Sequence, residues 1–136
     1  FKKCLDLIKN NQIKKIDFVG KKSQEEISDL LSSSRLLVMA SSHEGLPRVL
    51  IESGLCATPS IATNIQGISS PFGAQGGTLL YEFNNANQFQ TQLKEFYEDE
   101  SLQLELQQKS YQLATKLSGK NSFGDNWNEI MKKLYE

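Results

Sequence analysis

Apolar positions along the chain follow two alternating periods, one near 3.6 residues and one of short unbroken runs, and their alternation predicts the architecture. Phe1, Leu5, Leu7 and Ile8 fall roughly on the helical period, which predicts a helix over residues 2–11 ending at Asn10 and Asn11. Ile16, Asp17, Phe18 and Val19 read as a short buried strand stopped by Gly20. Ser23 and Glu26 have the spacing of a capping box, so a helix should start there and present Ile27, Leu30 and Leu31 to the core. The apolar run at residues 36–40 is too brief for a buried helix and predicts a strand covered on both faces. After a polar loop at residues 41–46, Pro47 suits a first helical position, because its missing N–H would have no partner there. Val49, Leu50 and Leu55 give that helix an apolar stripe, and it should run to about Ala57.

Ser60–Thr63 and Thr78–Tyr81 read as two further strands, joined by a Gly-rich loop over residues 64–77. A connection that long is usually functional or mobile. Residues 84–136 should be helical throughout, with Phe89, Leu93, Phe96 and Tyr97 on one stripe and Leu102, Leu106, Leu113 and Leu117 on others. Strands alternating with helices predict an α/β fold: a parallel sheet with flanking helices and a helical C-terminal tail.

Composition narrows the classes. With 136 residues, 38% hydrophobic and 23% charged, the chain is an ordinary globular domain that needs no disulfide or metal to hold its core. The longest apolar run is far short of a membrane span, and residues 1–10 are too polar for a signal peptide. Cys4, Cys56 and the lone His43 leave few soft ligands, so no metal site is expected and a reducing, cytoplasmic setting is the default. A net charge of -1 argues against nucleic acid as a partner. Residues 1–48 are mildly basic, with nine Lys and Arg against six acids, which reads as solvated surface or as a weak face for an anionic membrane. The first segment has the pattern of the middle of a fold, and the expectation is a piece of something longer.

In open parallel sheets ligands bind beyond the carboxyl ends of the strands, where helices begin with unpaired N–H groups. Ser41, Ser42, His43, Glu44, Gly45, Leu46 and Pro47 form such a loop ahead of a helix: backbone donors for an anion, a close approach at Gly45 and a carboxylate at Glu44. Glu52 follows five residues after Pro47, roughly 7.5 Å along a helix axis. A carboxylate pair suits vicinal diols, since each ionised carboxylate accepts hydrogen bonds from neighbouring hydroxyls. By spacing alone, Arg48 and Glu52 also fit an i,i+4 surface pair, with Glu44 merely favouring the helix dipole. Cys56 reads as a core residue, Trp127 as a helix-packing residue, and Gly73, Gly76 and Gly77 as turn residues.

The continuous run from Val38 to Asn64 resembles the signature of the glycosyltransferase family 4 type, the glycosyl transferases group 1 domain. Glu44 and Glu52 meet that family's Glu-x7-Glu frame, with Gly45, Pro47, Val49, Pro59, Ala62 and Thr63 in register; Phe18, Val19 and Gly20 resemble its F-x-G strand, and residues 127–135 its closing helix. The resemblance implies the C-terminal, Rossmann-like, nucleotide-sugar-binding half of a GT-B fold, over residues 1–136. It implies a retaining glycosyltransferase that uses a UDP- or GDP-sugar without a metal or other cofactor. The acceptor would be a saccharide or lipid-linked molecule in polysaccharide or glycolipid assembly, with the parent cytoplasmic and peripheral to the inner membrane face. By resemblance Glu44 is the catalytic residue near the donor sugar; Gly45, Leu46, Pro47, Arg48 and Val49 hold its hydroxyls or diphosphate; Glu52 binds the ribose; and Gly20, Lys21 and Lys22 sit near the base. The chain departs from the pattern at Ala40 and Ala57, which read as packing changes, and at Ser70, where the family carries an acid. That last departure leaves a non-catalytic nucleotide-sugar-binding or structural module as the alternative.

Overall fold

The computed structural model describes residues 6, 7, 9–11, 15–73 and 75–119; the tail beyond, with Trp127 and the expected closing helix, lies outside the described residues. Among the described residues the sheet is parallel and three-stranded, in the order β1 (Leu37–Met39), β2 (Ser60–Thr63) and β3 (Thr78–Tyr81). Leu37 pairs with Ser60, Ser60 with Thr78, and Thr63 with Tyr81. Residues 6, 7, 9 and 10 are helical, and among the described residues five further helices surround the sheet: α1 (Gln24–Ser33), α2 (Arg48–Leu55), α3 (Gln66–Phe72), α4 (Ala86–Glu98) and α5 (Glu100–Ser118).

The core lies on one face of the sheet. Leu50, Ala62, Ile68 and Phe72 are fully buried there, and Leu37, Met39, Ile51, Leu80, Leu113 and Leu117 pack around them. The period of two along β1 puts Val38 on the opposite face, where it is 47% exposed. That face is covered over β2 and β3 by α4, whose Phe89 ring meets Tyr81 at 5.1 Å between centroids. A groove of about 440 Å³ remains beside Val38, Thr63, Tyr81, Phe83 and Phe89, so the expectation of a strand covered on both faces fails for β1. Burial in that setting pushes the Tyr81 phenol above its ordinary value.

Several expected elements change. Ile16, Phe18 and Val19 are 45–51% exposed, and among the described residues they belong to no strand of the sheet, which ends at β1 on that side. Residues 64–77 contain α3, formed because Ile68 and Phe72 lie one turn apart and both bury into the core. The tail is broken at Asp99, which caps α4 at one end and α5 at the other through its side chain on the Leu102 N–H. In α1 the capping box forms as expected, yet only Leu31 is buried while Leu30 is 41% exposed. Glu26 is held below the usual carboxylate range by Lys22 and by the Ser23 N–H, so this stabilisation is present above the unfolded carboxyl pKa and fades as pH falls through the lower folded one.

Pro47 is the N-cap of α2, one position earlier than expected, and the helix stops at Leu55. Its buried side is made of Leu50, Ser53 and Gly54, and Leu55 is 44% exposed. The reason is α5, which crosses so close that a Cβ on Gly54 would come within 2.5 Å of Ser110 O and 2.7 Å of Ala114 Cβ. Two buried hydroxyls then tie α2 to its neighbours: Ser53 Oγ donates to Thr58 O at 2.7 Å, and Thr58 Oγ1 donates to Leu31 O at 2.7 Å.

Ala57, just past α2, has φ +53°, so its departure from the family glycine is backbone strain rather than a packing change. Replacing Ala57 by Gly should stabilise the fold by about 0.5–1 kcal/mol, the left-handed penalty less the extra chain entropy of glycine, measured by urea unfolding. Gly54→Val should cost roughly 1–3 kcal/mol in the same measurement, since α5 must move away.

Candidate functional site

The strands deliver two loops to one edge of the sheet: residues 40–47 after β1 and residues 64–65 after β2. They touch. A Cβ on Gly67, in the first turn of α3, would overlap the backbone oxygens of both Glu44 and Gly45, so glycine is what lets the two loops close on each other. Thr63 Oγ1 donates to Ser41 O at 2.6 Å and holds the base of the first loop to the end of β2. Glu44 is half-buried in this position, Gly45 and Leu46 are exposed, Pro47 is buried, and His43 is an exposed loop residue near the Ser42 hydroxyl at 3.3 Å.

The helices that follow these loops differ from the others at their starts. Ser23, Asn85 and Asp99 each accept a hydrogen bond from a first-turn N–H of α1, α4 and α5. The N-caps of α2 and α3 are Pro47 and Ile65, with no side-chain cap and no acid in the first turn. The start of α2 therefore has no side-chain cap of its own, and it follows directly on the Glu44 and Gly45 loop.

Arg48 and Glu52 lie one turn apart on α2 and line a cleft of about 260 Å³ with Gln24 of α1, over a floor of Ile51, Leu55 and Leu117. A second cleft of about 130 Å³ adjoins Gln24, Glu52, Leu55 and Cys56 on the other side. Arg48 and Glu52 form no ion pair with each other or with another described residue, which removes the surface-pair reading of their spacing. Two opposite charges left uncommitted above an apolar floor are an arrangement for a ligand carrying both polar and apolar parts.

Other expected positions fall elsewhere. Lys22 is engaged with Glu26 at 2.8 Å as part of the start of α1. Gly20 and Lys21 are exposed ahead of that helix, and Gln24, unmarked by any motif, is the residue that reaches the clefts. Cys56 is half-buried on a cleft wall, with Sγ 3.8 Å from Ser28 Oγ, rather than in the core. Ser70 is exposed on α3.

A parallel sheet with helices on both faces and a ligand-sized cleft at its loop edge defines a Rossmann-like α/β domain. The model of the family "Glycosyl transferases group 1" matches residues 1–113, and the chain belongs to that family. It is 28% identical over 118 residues to an uncharacterized glycosyltransferase of Methanocaldococcus jannaschii, covering 87% of this chain and 34% of that protein. It is 30% identical over 99 residues to N-acetyl-alpha-D-glucosaminyl L-malate synthase of Bacillus anthracis, covering 72% of this chain and 26% of the relative. Sucrose-phosphate synthase from Thermosynechococcus elongatus superposes with a TM-score of 0.86 at 20% identity, over 98% of this chain and 34% of that one. The chain thus spans about a third or less of the length of these proteins, and its fold is that of the C-terminal Rossmann-like half of a GT-B enzyme. Among the described residues no helix is long and apolar enough to cross a membrane.

Gly67→Ala should push the Glu44 and Gly45 backbone away from α3. A loss of about 1–3 kcal/mol in urea unfolding, with altered amide signals at residues 44–45 in NMR, is the expected outcome.

Proposed function

We propose that this chain is the donor-binding portion of a retaining glycosyltransferase. It holds a nucleotide sugar of the UDP or GDP type and presents the sugar to a saccharide or lipid-linked acceptor, in polysaccharide or glycolipid assembly at the cytoplasmic face of a membrane. The observation that carries the reading is the uncommitted Arg48 and Glu52 pair in one cleft, beside the uncapped start of α2. Transfer breaks the bond from the anomeric carbon to the terminal phosphate oxygen and forms one to the acceptor hydroxyl oxygen, whose proton passes to the departing diphosphate, and negative charge grows on that diphosphate as the bond breaks. The open N–H groups of α2 and the Arg48 guanidinium suit that charge, as donors fixed before the reaction. Glu52 accepts from the ribose hydroxyls, and Glu44, where the two loops meet, faces the donor sugar. No metal is required by this arrangement, since helix dipole and guanidinium supply the positive charge.

The test uses the complete protein with radiolabelled donor. Glu52→Gln should raise the KM for donor about 10- to 100-fold, the loss of a hydrogen bond to a charged group. Glu44→Ala should lower kcat by at least about 100-fold with a smaller change in KM. Wild-type kinetics in both variants would remove the assignment. Donor binding at Glu52 with no sugar transfer to any acceptor would instead support a non-catalytic module, the reading that Ser70 favours.

A further inference from the structure

We infer that Thr63 is a positioning residue for sugar transfer: its hydroxyl sets where the loop after β1 holds the Glu44 carboxylate. The inference rests on the reading of Glu44 as the group that faces the donor sugar. Little else holds that loop. Among the described residues, residues 41–46 make a single hydrogen bond to the rest of the chain, from Thr63 Oγ1 to Ser41 O at 2.6 Å. Glu44 is in no ion pair among them, and the His43 ring meets only the neighbouring Ser42 hydroxyl. The second restraint is steric. The first turn of α3 lies so close that a Cβ on Gly67 would overlap the Glu44 and Gly45 carbonyl oxygens. Contact with α3 stops the loop from moving toward that helix, and the Thr63 hydroxyl stops its base from lifting away.

Thr63 is well placed to act this way. It ends β2, where its register with Tyr81 of β3 fixes the backbone, and it is 1% exposed, so water does not compete for the bond. Branching at Cβ restricts χ1 and so aims the hydroxyl. Of the two hydroxyls on β2, Ser60 spends its own on Thr78 within the sheet, and Thr63 sends its bond out to the loop. Ser41 and Glu44 are three residues apart, a reach of roughly 10 Å at most, so a shift at the base of the loop is carried to the carboxylate. Reacting groups tolerate little displacement: about 1 Å can cost on the order of 100-fold in rate. The Arg48 and Glu52 cleft is held separately, through the crossing of α5 at Gly54 and the Ser53 and Thr58 hydroxyls. Losing the Thr63 hydroxyl therefore acts on turnover rather than on donor binding.

The experiment follows sugar release from radiolabelled UDP-glucose and GDP-mannose by the complete protein, with UDP and GDP binding measured by calorimetry. Valine has the shape of threonine and suits a strand, so Thr63→Val keeps β2 while removing the bond. Thr63→Val should lower kcat about 10- to 100-fold with the KM for donor and the nucleotide affinity within about twofold of the parent. Thr63→Ser, which keeps the hydroxyl, should recover kcat to within about threefold. In a Glu44→Ala background Thr63→Val should add less than about twofold, because the two residues act through one group. Independently of turnover, amide signals of residues 42–45 in NMR should move in Thr63→Val and return in Thr63→Ser. Unmoved signals, an unchanged kcat, a loss of nucleotide binding, or an equal fall with and without Glu44 would each overturn the role of Thr63. With Glu44→Ala still impaired, those outcomes leave the donor-site reading standing. A wild-type kcat in Glu44→Ala itself would overturn the two together.

Discussion

The close crossing of α5 over α2 sets the rest of the structure. Gly54 has no side chain, and Ser110 and Ala114 have small ones, so the two backbones meet almost directly. That contact decides which side of α2 is buried. With Gly54, Ser53 and Leu50 inward, Arg48 and Glu52 are turned to the cleft and Leu55 becomes part of its floor. It also brings the end of α5 to the same place, so that Leu117 contributes to the core and to the cleft at once. A larger residue at position 54 would therefore disturb the stability of the domain and the shape of the site through one displacement.

Around that crossing, polar groups divide into two sets. Ser53, Thr58, Ser60 and Thr63 are buried, and each spends its hydroxyl on a neighbour: Thr58 O, Leu31 O, Thr78 Oγ1 and Ser41 O respectively. These bonds satisfy groups that would otherwise be costly to bury, and they hold α1, α2 and the loop after β1 in fixed relation. The second set sits at the loop edge and is left unspent: Arg48, Glu52, the Gln24 carboxamide and the start of α2. Stability comes from the first set and from the core. The second contributes little to folding, and its arrangement is what a charged, partly apolar ligand requires.

Much of the chain was legible because its signals are local. The bounds of β2 and β3 agree with their apolar runs, and Ser23 with Glu26 announced the start of α1 through contacts spanning four residues. The Glu44 and Glu52 frame, with its matching residues, led to the family that the comparisons establish. Residues 64–77 were harder. Gly67 and Pro71 are poor helix formers, and α3 exists because Ile68 and Phe72 find the core, a spacing visible in the sequence but outweighed by its breakers.

By itself the sequence determined the alternation of strands and helices, the caps, and the family frame, all of which depend on neighbours a few positions apart. The tertiary structure alone decided that, among the described residues, 16–19 belong to no strand of the sheet, since lateral pairing depends on a partner distant in sequence. It also decided that Gly54 rather than Leu55 faces α5, that Ala57 is left-handed, and that Gln24 rather than Lys22 reaches the clefts. Each is an outcome of two segments meeting in space, and a side chain's exposure after such a meeting follows from the geometry of the contact, which residue type and period along one segment do not specify.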